Sequence, residues 1–179
     1  MKRRASVTPL RRALRHDSEL QAAVVDGLGA VARSHRQYID TAIRTEFADS
    51  INLDSALKSE HPEENRWDYL LGHAPTAQLI AVEPHSAVHD QVRTVIAKRA
   101  AAREQLRSHL RDGEKVHTWL WVASGKVQFA DTETSRRQLD QNGIQFVGTR
   151  VTAKHLPKAS AASTSKPSGR QSSAGKAKA

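Results

Sequence analysis

The chain has 179 residues, a formal net charge of +9 and no cysteine. That length allows one domain of ordinary size with a substantial core. The lack of cysteine excludes disulfide bonds, thiolate nucleophiles and cysteine-based zinc sites. No apolar stretch follows the basic start as in a signal peptide, and none is long enough to span a membrane. We therefore expect a cytoplasmic protein, free or associated with the nucleoid, that makes no contact with membranes.

The positive charge is concentrated at the two ends. Eleven of the 28 Lys and Arg residues lie in residues 1–16 and 157–179, all 19 acidic residues lie between them, and residues 17–156 carry a net charge of about −2. Residues 157–179 have no large apolar side chain to offset the entropy of ordering, which predicts disorder. We predict a basic N-terminal arm at 1–16, a single α/β domain at 17–156 and a disordered basic tail at 157–179.

The predicted arm has basic residues but no acid. Around Leu10 and Leu14 it could form a short helix on contact with a partner. Flexible basic ends suit phosphate contacts that do not read sequence, although they can also serve solubility alone. The candidates for nucleic-acid contacts in the arm are Arg3, Arg4, Arg11 and Arg12.

The first part of the predicted domain is helical and then changes to strands. Residues 17–49 have apolar residues near helical spacing, with a break expected near Gly27. The short apolar runs 67–72 and 78–83 are separated by a turn-like spacer. We expect them to pair as an antiparallel β-hairpin.

The second part alternates helices and strands. Pro84 is expected to stop the hairpin's second strand, and a long helix is predicted at 87–111. A strand at 116–122, a helix at 132–141 and a strand at 144–147 follow. This order predicts an α/β fold with a small mixed β-sheet flanked by helices.

Two carboxylates lie in the most strand-like runs. Asp68 is in the run WDYLL, and Glu83 ends the run QLIAVE. Paired carboxylates on neighbouring strands can hold Mg²⁺ against a phosphate. Each also has a structural interpretation, Asp68 as a strand-edge or turn residue and Glu83 as a strand terminus.

The order of elements, with Asp68 and the triplet Glu83-Pro84-His85, resembles the core of the PD-(D/E)xK nucleases, which have the restriction-endonuclease-like fold. In that family an Asp opens the second strand and a (D/E)-x-K triplet closes the third. The resemblance covers about residues 30–150. It implies Mg²⁺-dependent hydrolysis of phosphodiester bonds in DNA.

The resemblance also implies roles for individual residues. Asp68 and Glu83 would be the metal ligands, and His85 would orient the attacking water. Glu46 matches the additional acid that many members carry on the preceding helix, although it can also be a solvated helix residue.

His85 stands where the family has lysine. A neutral imidazole accepts a proton but does not supply a fixed cation. Some members carry the basic group on the following helix, where Arg93 or Lys98 could serve, and His89, one turn beyond His85, is another candidate. Two hypotheses follow. The chain is a nuclease, active or catalytically degenerate, or it is a non-enzymatic module with flexible basic arms that binds nucleic acid, a protein partner or a second copy of itself.

The long predicted helix carries Arg99, Arg103 and Arg107 at successive i+4 positions, which places them on one face. This row could follow a nucleic-acid backbone, or it could be the solvated face of an amphipathic helix. Trp119 and Trp121 alternate along the third strand and so share one face. We expect them to pack in the core rather than to stack on bases.

Overall fold

The computed structural model describes residues 7–88, 91–127 and 133–159. These residues form a six-stranded sheet in which the strands follow their order in the chain. The strands are β1 (Val25–Asp26), β2 (Phe47–Asn52), β3 (Tyr69–His73), β4 (Gln78–Ala87), β5 (Val116–Val127) and β6 (Gln145–Phe146). Neighbours from β1 to β4 are antiparallel, whereas β4, β5 and β6 run parallel. The predicted α/β class with a mixed sheet and the predicted hairpin are confirmed.

Helices connect the strands and cover the sheet. They are α1 (Pro9–Ala13), α2 (Leu20–Ala23), α3 (Leu53–Ala56), α4 (Gln91–Arg107) and α5 (Glu133–Gln141), with 3-10 helices at Arg36–Tyr38, Thr41–Glu46 and Ala153–His155. Helix α4 joins β4 to β5 and α5 joins β5 to β6, because parallel neighbours need a crossover connection. Within the described ranges, no helix is both long enough and apolar enough to cross a bilayer.

The two faces of the sheet bury separate apolar clusters. On one face, Ala81, Trp119 and Trp121 pack with the buried side of α4. On the other face, Ile80 and Leu120 belong to a second cluster. This division follows from the alternation of side chains along a strand. Both tryptophans are buried, so their predicted role in the core is confirmed.

The predicted helical region 17–49 is wrong for most of its length. The structure has short helical segments there, together with β1 and the start of β2. Strand β2 carries Asp49 and Ser50, polar residues that obscure a strand pattern, yet both are 0% exposed. The Asp49 carboxylate accepts hydrogen bonds from the backbone N–H groups of Leu10 and Arg11. Tertiary contacts therefore satisfy buried polar groups that the sequence pattern cannot explain.

Residues 7–16 do not form a separate arm. Leu10 and Leu14 are both 0% exposed and belong to the same apolar cluster as α4. The apolar side of α1 is thus part of the domain core, which makes the predicted boundary at residue 16 wrong. Arg3 and Arg4 lie outside the described residues.

Arg11 and Arg12 differ in how they are used. The Arg11 guanidinium donates to the Asp26 carboxylate at 2.9 Å, which ties α1 to β1. Arg12 donates to the carbonyl of Ala77 at 3.0 Å but remains exposed. We therefore assign Arg11 a structural role within the domain. Most of the predicted disordered tail, residues 160–179, lies outside the described residues.

Strand β4 continues through Pro84 to Ala87, so the prediction that Pro84 stops it is wrong. Pairing with β3 ends two residues before the proline, whereas pairing with β5 continues to Ala87. At Pro84 the strand therefore has a neighbour on one side, and the missing N–H of proline is tolerated in such a place. Because β4 extends to Ala87, helix α4 begins later than predicted, at Gln91. It also ends earlier, at Arg107 rather than Arg111.

Candidate functional site

Asp68 and Glu83 lie opposite each other at the open end of the β3–β4 hairpin. Tyr69 pairs with Val82, so the next position outward brings Asp68 beside Glu83. Cross-strand neighbours project to the same face of a sheet. That face is the one covered by α4, because Ala81, two residues before Glu83, packs there. The predicted meeting of the two carboxylates is therefore seen in the fold.

Lys98 of α4 contacts both carboxylates. Its Nζ lies 3.4 Å from Asp68 Oδ1 and donates a hydrogen bond to Glu83 Oε1. In addition, the backbone N–H of Asp68 donates to Glu83 Oε2 at 2.9 Å. We call Asp68, Glu83 and Lys98 the carboxylate cluster. With both acids ionised it carries one net negative charge.

The cluster is buried at one end and open at the other. The Glu83 side chain is 0% exposed, whereas those of Asp68 and Lys98 are 23% and 14% exposed. A cation or phosphate arriving from solvent would therefore meet Asp68 and Lys98 before Glu83. Buried charges that solvent can reach are typical of functional sites. A buried ion pair adds little net stability compared with apolar residues in its place, so stability alone is a weak reason for charges here.

Burial changes the proton affinity of the Glu83 carboxyl. Burial raises the pKa of Glu83 to about 8, the Asp68 charge adds to the rise, and the Lys98 ammonium opposes it. Burial lowers the pKa of Lys98, but the attraction of Glu83 and Asp68 outweighs burial, and the pKa lies above its ordinary value. The lysine therefore keeps its charge at neutral pH, whereas Glu83 gains or loses a proton near that pH.

His85 borders the cluster without bonding to it. Its Nδ1 lies 3.6 Å from Glu83 Oε1, which is longer than a hydrogen bond. Its Nε2 donates to Gln91 Oε1 at 2.7 Å, and its backbone carbonyl accepts from Trp121 Nε1. These contacts hold the ring beside the carboxylates, with Nδ1 turned toward Glu83.

Glu46 does not reach the cluster. Its Oε2 accepts a hydrogen bond from His73 Nε2 at 3.1 Å. His73 is the last residue of β3 and Asp68 immediately precedes the first. The five residues of β3 span roughly 16 Å at about 3.3 Å per residue. The prediction that Glu46 joins Asp68 and Glu83 is therefore wrong.

Of the two basic residues considered on the following helix, Lys98 reaches the carboxylates and Arg93 is exposed. A sequence signal for this choice exists. Lys98 lies three residues after Val95 and four before Ala102, both of which are buried on the sheet side of α4. A lysine in an otherwise apolar helical stripe needs a buried partner, and the carboxylates supply it.

The cluster offers oxygen ligands suited to a hard cation. Within residues 7–88, 91–127 and 133–159, no three His, Cys, Asp or Glu side chains form a group that could hold a metal ion. Mg²⁺ is often bound by only one or two carboxylates, with water and substrate phosphate completing its shell. Asp68 and Glu83 fit that pattern better than they fit zinc, which prefers nitrogen and sulfur ligands.

No protein-family model, curated protein or solved structure matches the chain. What the site does is therefore inferred from its geometry and its charges.

Proposed function

We propose that the chain is a Mg²⁺-dependent nuclease of the PD-(D/E)xK type that hydrolyses phosphodiester bonds in DNA. Two features of the fold support this proposal. Strands β2, β3 and β4 form an antiparallel meander, α4 follows, and β5 lies parallel to β4. Asp68 immediately precedes the second strand of that meander, and Glu83 lies in the third. The triplet Glu83-Pro84-His85 departs from the family in lying inside its strand rather than closing it.

The observation that carries the proposal is the position of Lys98. The family needs a basic group beside its two acids, and His85 is a poor substitute in sequence. The Lys98 ammonium contacts both acids from α4 and keeps its positive charge. We propose that Lys98 takes the role of the motif lysine.

The residues of the cluster have complementary tasks in this chemistry. Bound Mg²⁺ would supply a Lewis acid for the phosphoryl oxygen. Asp68 and Glu83 would hold that cation through their carboxylate oxygens. Once a cation neutralises the carboxylates, the Lys98 ammonium is available to donate to the phosphate and to balance its growing negative charge. Nδ1 of His85 would accept a proton from a nearby water.

The test is nicking of supercoiled plasmid by the full chain with Mg²⁺ and with EDTA. We expect Mg²⁺-dependent nicking that falls about 100-fold or more in Asp68→Asn, Glu83→Gln and Lys98→Met. Lys98→Arg keeps a cation and should retain part of the activity. Glu133→Gln is the matched control, because that carboxylate is 85% exposed on α5 and is paired with Arg137.

Circular dichroism must show that each variant is folded before its activity is interpreted. Nicking that survives in folded Glu83→Gln would contradict the proposal. No nicking by the unaltered chain would favour the alternative, a binding module in which the carboxylate cluster is a structural ion pair.

A further inference from the structure

A groove lies on the other side of α4 from the carboxylate cluster. It runs between α4 and the segment that leads into β5, and its volume is about 770 Å³. Ligand sites of proteins usually fall between about 300 and 1,000 Å³. We call it the basic groove because five cationic side chains line it: Arg99, Arg103, Arg107, Arg111 and Lys115.

Arg99 is built into the wall of the basic groove. Its guanidinium carbon lies 5.3 Å from the ring centroid of Trp119, a distance that permits a cation–π contact. A Cβ atom at Gly143 would lie 3.0 Å from Arg99 Nη2, so glycine leaves room for the guanidinium. Packing against Trp119 and Gly143 therefore fixes the arginine without neutralising it.

The charge of Arg99 is not balanced within the described residues. Its Nε is buried and has no hydrogen-bond partner there. Burial lowers the pKa of Arg99, and repulsion from Arg103 lowers it further. Arg103 is exposed and has no ion pair in the described part of the chain. Two neighbouring cations that repel each other and lack an acid are a site at which an anion would be stabilised.

The acids of the basic groove do not cancel its charge. Glu104, Asp112 and Glu114 line it beside the five basic residues, which leaves a net charge of +2. Glu104 pairs with Arg107 at 3.3 Å, but both side chains are more than two-thirds exposed. Such an exposed pair contributes little free energy, so it is a weak competitor for an anion that binds Arg107.

We propose that the basic groove binds the backbone phosphates of a nucleic-acid strand, with Arg99 and Arg103 as its central contacts. Guanidinium groups bind phosphate through paired hydrogen bonds. Successive arginines at i+4 rise by about 6 Å along a helix, so Arg99, Arg103 and Arg107 form a row that can follow a chain of phosphates. Trp119 is 4% exposed and lies under Arg99, so no ring is offered for base stacking. Binding is therefore independent of base sequence.

An acidic protein surface fits the basic groove less well. Protein interfaces are stabilised mainly by buried aromatic and aliphatic anchors. In the groove, Leu106, Leu110 and Trp119 are already at most 9% exposed in the core of the domain. What remains accessible is mostly charge, as expected for a phosphate-binding surface.

This inference does not rest on the proposed nuclease activity, since the basic groove and the carboxylate cluster share no residue. The experiment therefore measures binding of the full chain to a fluorescent DNA duplex and to a single strand, in EDTA, across a series of salt concentrations. Each phosphate contact adds about 0.9 to the slope of log affinity against log salt for duplex DNA. We expect Arg99→Gln and Arg103→Gln each to lower that slope by about 1, and the double variant by about 2.

Arg33→Gln is the matched control, because Arg33 is exposed and lies beside Val31, which packs on the opposite face of the sheet. The basic ends of the chain contribute equally to every variant, so differences in slope report on the basic groove. An equal slope in Arg33→Gln and Arg103→Gln would overturn the proposal, as would the absence of DNA binding. Displacement of bound DNA by poly-glutamate at the same charge concentration would indicate an acidic protein partner and would also overturn it.

Discussion

Lys98 and Arg99 are adjacent residues of α4, but the surroundings of their charges differ. Lys98 is turned toward β3 and β4, where two carboxylates surround its ammonium. Arg99 is turned toward β5, where it meets an indole ring and a second arginine but no acid of the described residues. The two carboxylates thus compensate the charge of Lys98, whereas the charge of Arg99 is available to an external anion. The two residues are expected to respond differently to the same substitutions.

The largest effect on stability is expected from Lys98→Met. It leaves two carboxylates without their cation, and breaking a buried ion pair in this way costs about 3 kcal/mol of unfolding free energy. Arg99→Met, a substitution of the adjacent residue, should cost about 1 kcal/mol or less, because the arginine has no ionic partner in the described part of the chain. Urea denaturation at about pH 9, where Glu83 is ionised, checks this difference. Equal costs would show that the cluster gains nothing from the lysine.

The next largest effect is a dependence of the unfolding free energy on pH that arises from Glu83 in the carboxylate cluster. The pKa of Glu83 is raised from 4.5 to about 8 on folding, so the folded chain keeps a proton that the unfolded chain loses. The unfolding free energy should therefore fall as the pH rises from about 4.5 to 8, by at most about 1.4 kcal/mol per pH unit. In Glu83→Gln this fall should be absent.

Cleavage should change in the opposite direction across the same window. A cation binds the ionised form of Glu83, so activity should increase with pH up to about 8 and then level off. Denaturation series and plasmid nicking at matched pH values measure the two trends. A stability profile of Glu83→Gln that matches the unaltered chain would contradict the assignment of this proton to Glu83.

A smaller effect is expected from alanine at two glycines, and the comparison distinguishes damage to the basic groove from backbone strain alone. Gly143 and Gly113 both have positive φ, at 60° and 83°, so alanine at either should cost about 1 kcal/mol. A Cβ at Gly143 would press on the Arg99 guanidinium, whereas a Cβ at Gly113 would have no atom of the described residues within 4 Å. Gly143→Ala should therefore weaken DNA binding as well as stability, and Gly113→Ala should affect stability alone. Equal DNA affinities of the two variants would show that the position of Arg99 is unimportant.

The smallest effect is expected at Glu46. This carboxylate bonds to His73 at the far end of β3 and is 37% exposed. Glu46→Gln should change the unfolding free energy by less than about 1 kcal/mol and leave plasmid nicking unchanged. A loss of nicking comparable to that of Asp68→Asn would mean that Glu46 approaches the cluster during the reaction.

Local patterns predicted most elements of the second half of the domain. Short apolar runs, turn residues and helical spacing predicted the hairpin, α4, β5, α5 and β6, because the apolar residues of these elements follow the period of a strand or a helix. The N-terminal part was predicted poorly. There, β2 buries Asp49 against the backbone of α1, a contact between residues 39 positions apart. Such a contact has no local signature.

The residues of the candidate site likewise include some that local patterns identified and some that only tertiary contacts could place. Asp68 and Glu83 were found because each ends or begins a strand-like run, and hairpin pairing alone brings them together. Glu46 was misplaced because the segment before it is not the long helix that its composition indicates. Lys98 was one of three candidates, of which His89 lies outside the described residues, and its choice over Arg93 required knowing which side of α4 packs on the sheet.

The amino-acid sequence by itself determined the α/β class, the hairpin and the pair of carboxylates, because alternation and turn chemistry act over a few residues. Only the tertiary structure decided which cation reaches those carboxylates and which arginine has no acid beside it among residues 7–88, 91–127 and 133–159. The physical reason is that the rotation of α4 on the sheet is set by the packing of Val95, Ala102 and Leu106. That packing places Lys98 and Arg99 at the two edges of the buried stripe, with Lys98 beside β3 and β4 and Arg99 beside β5.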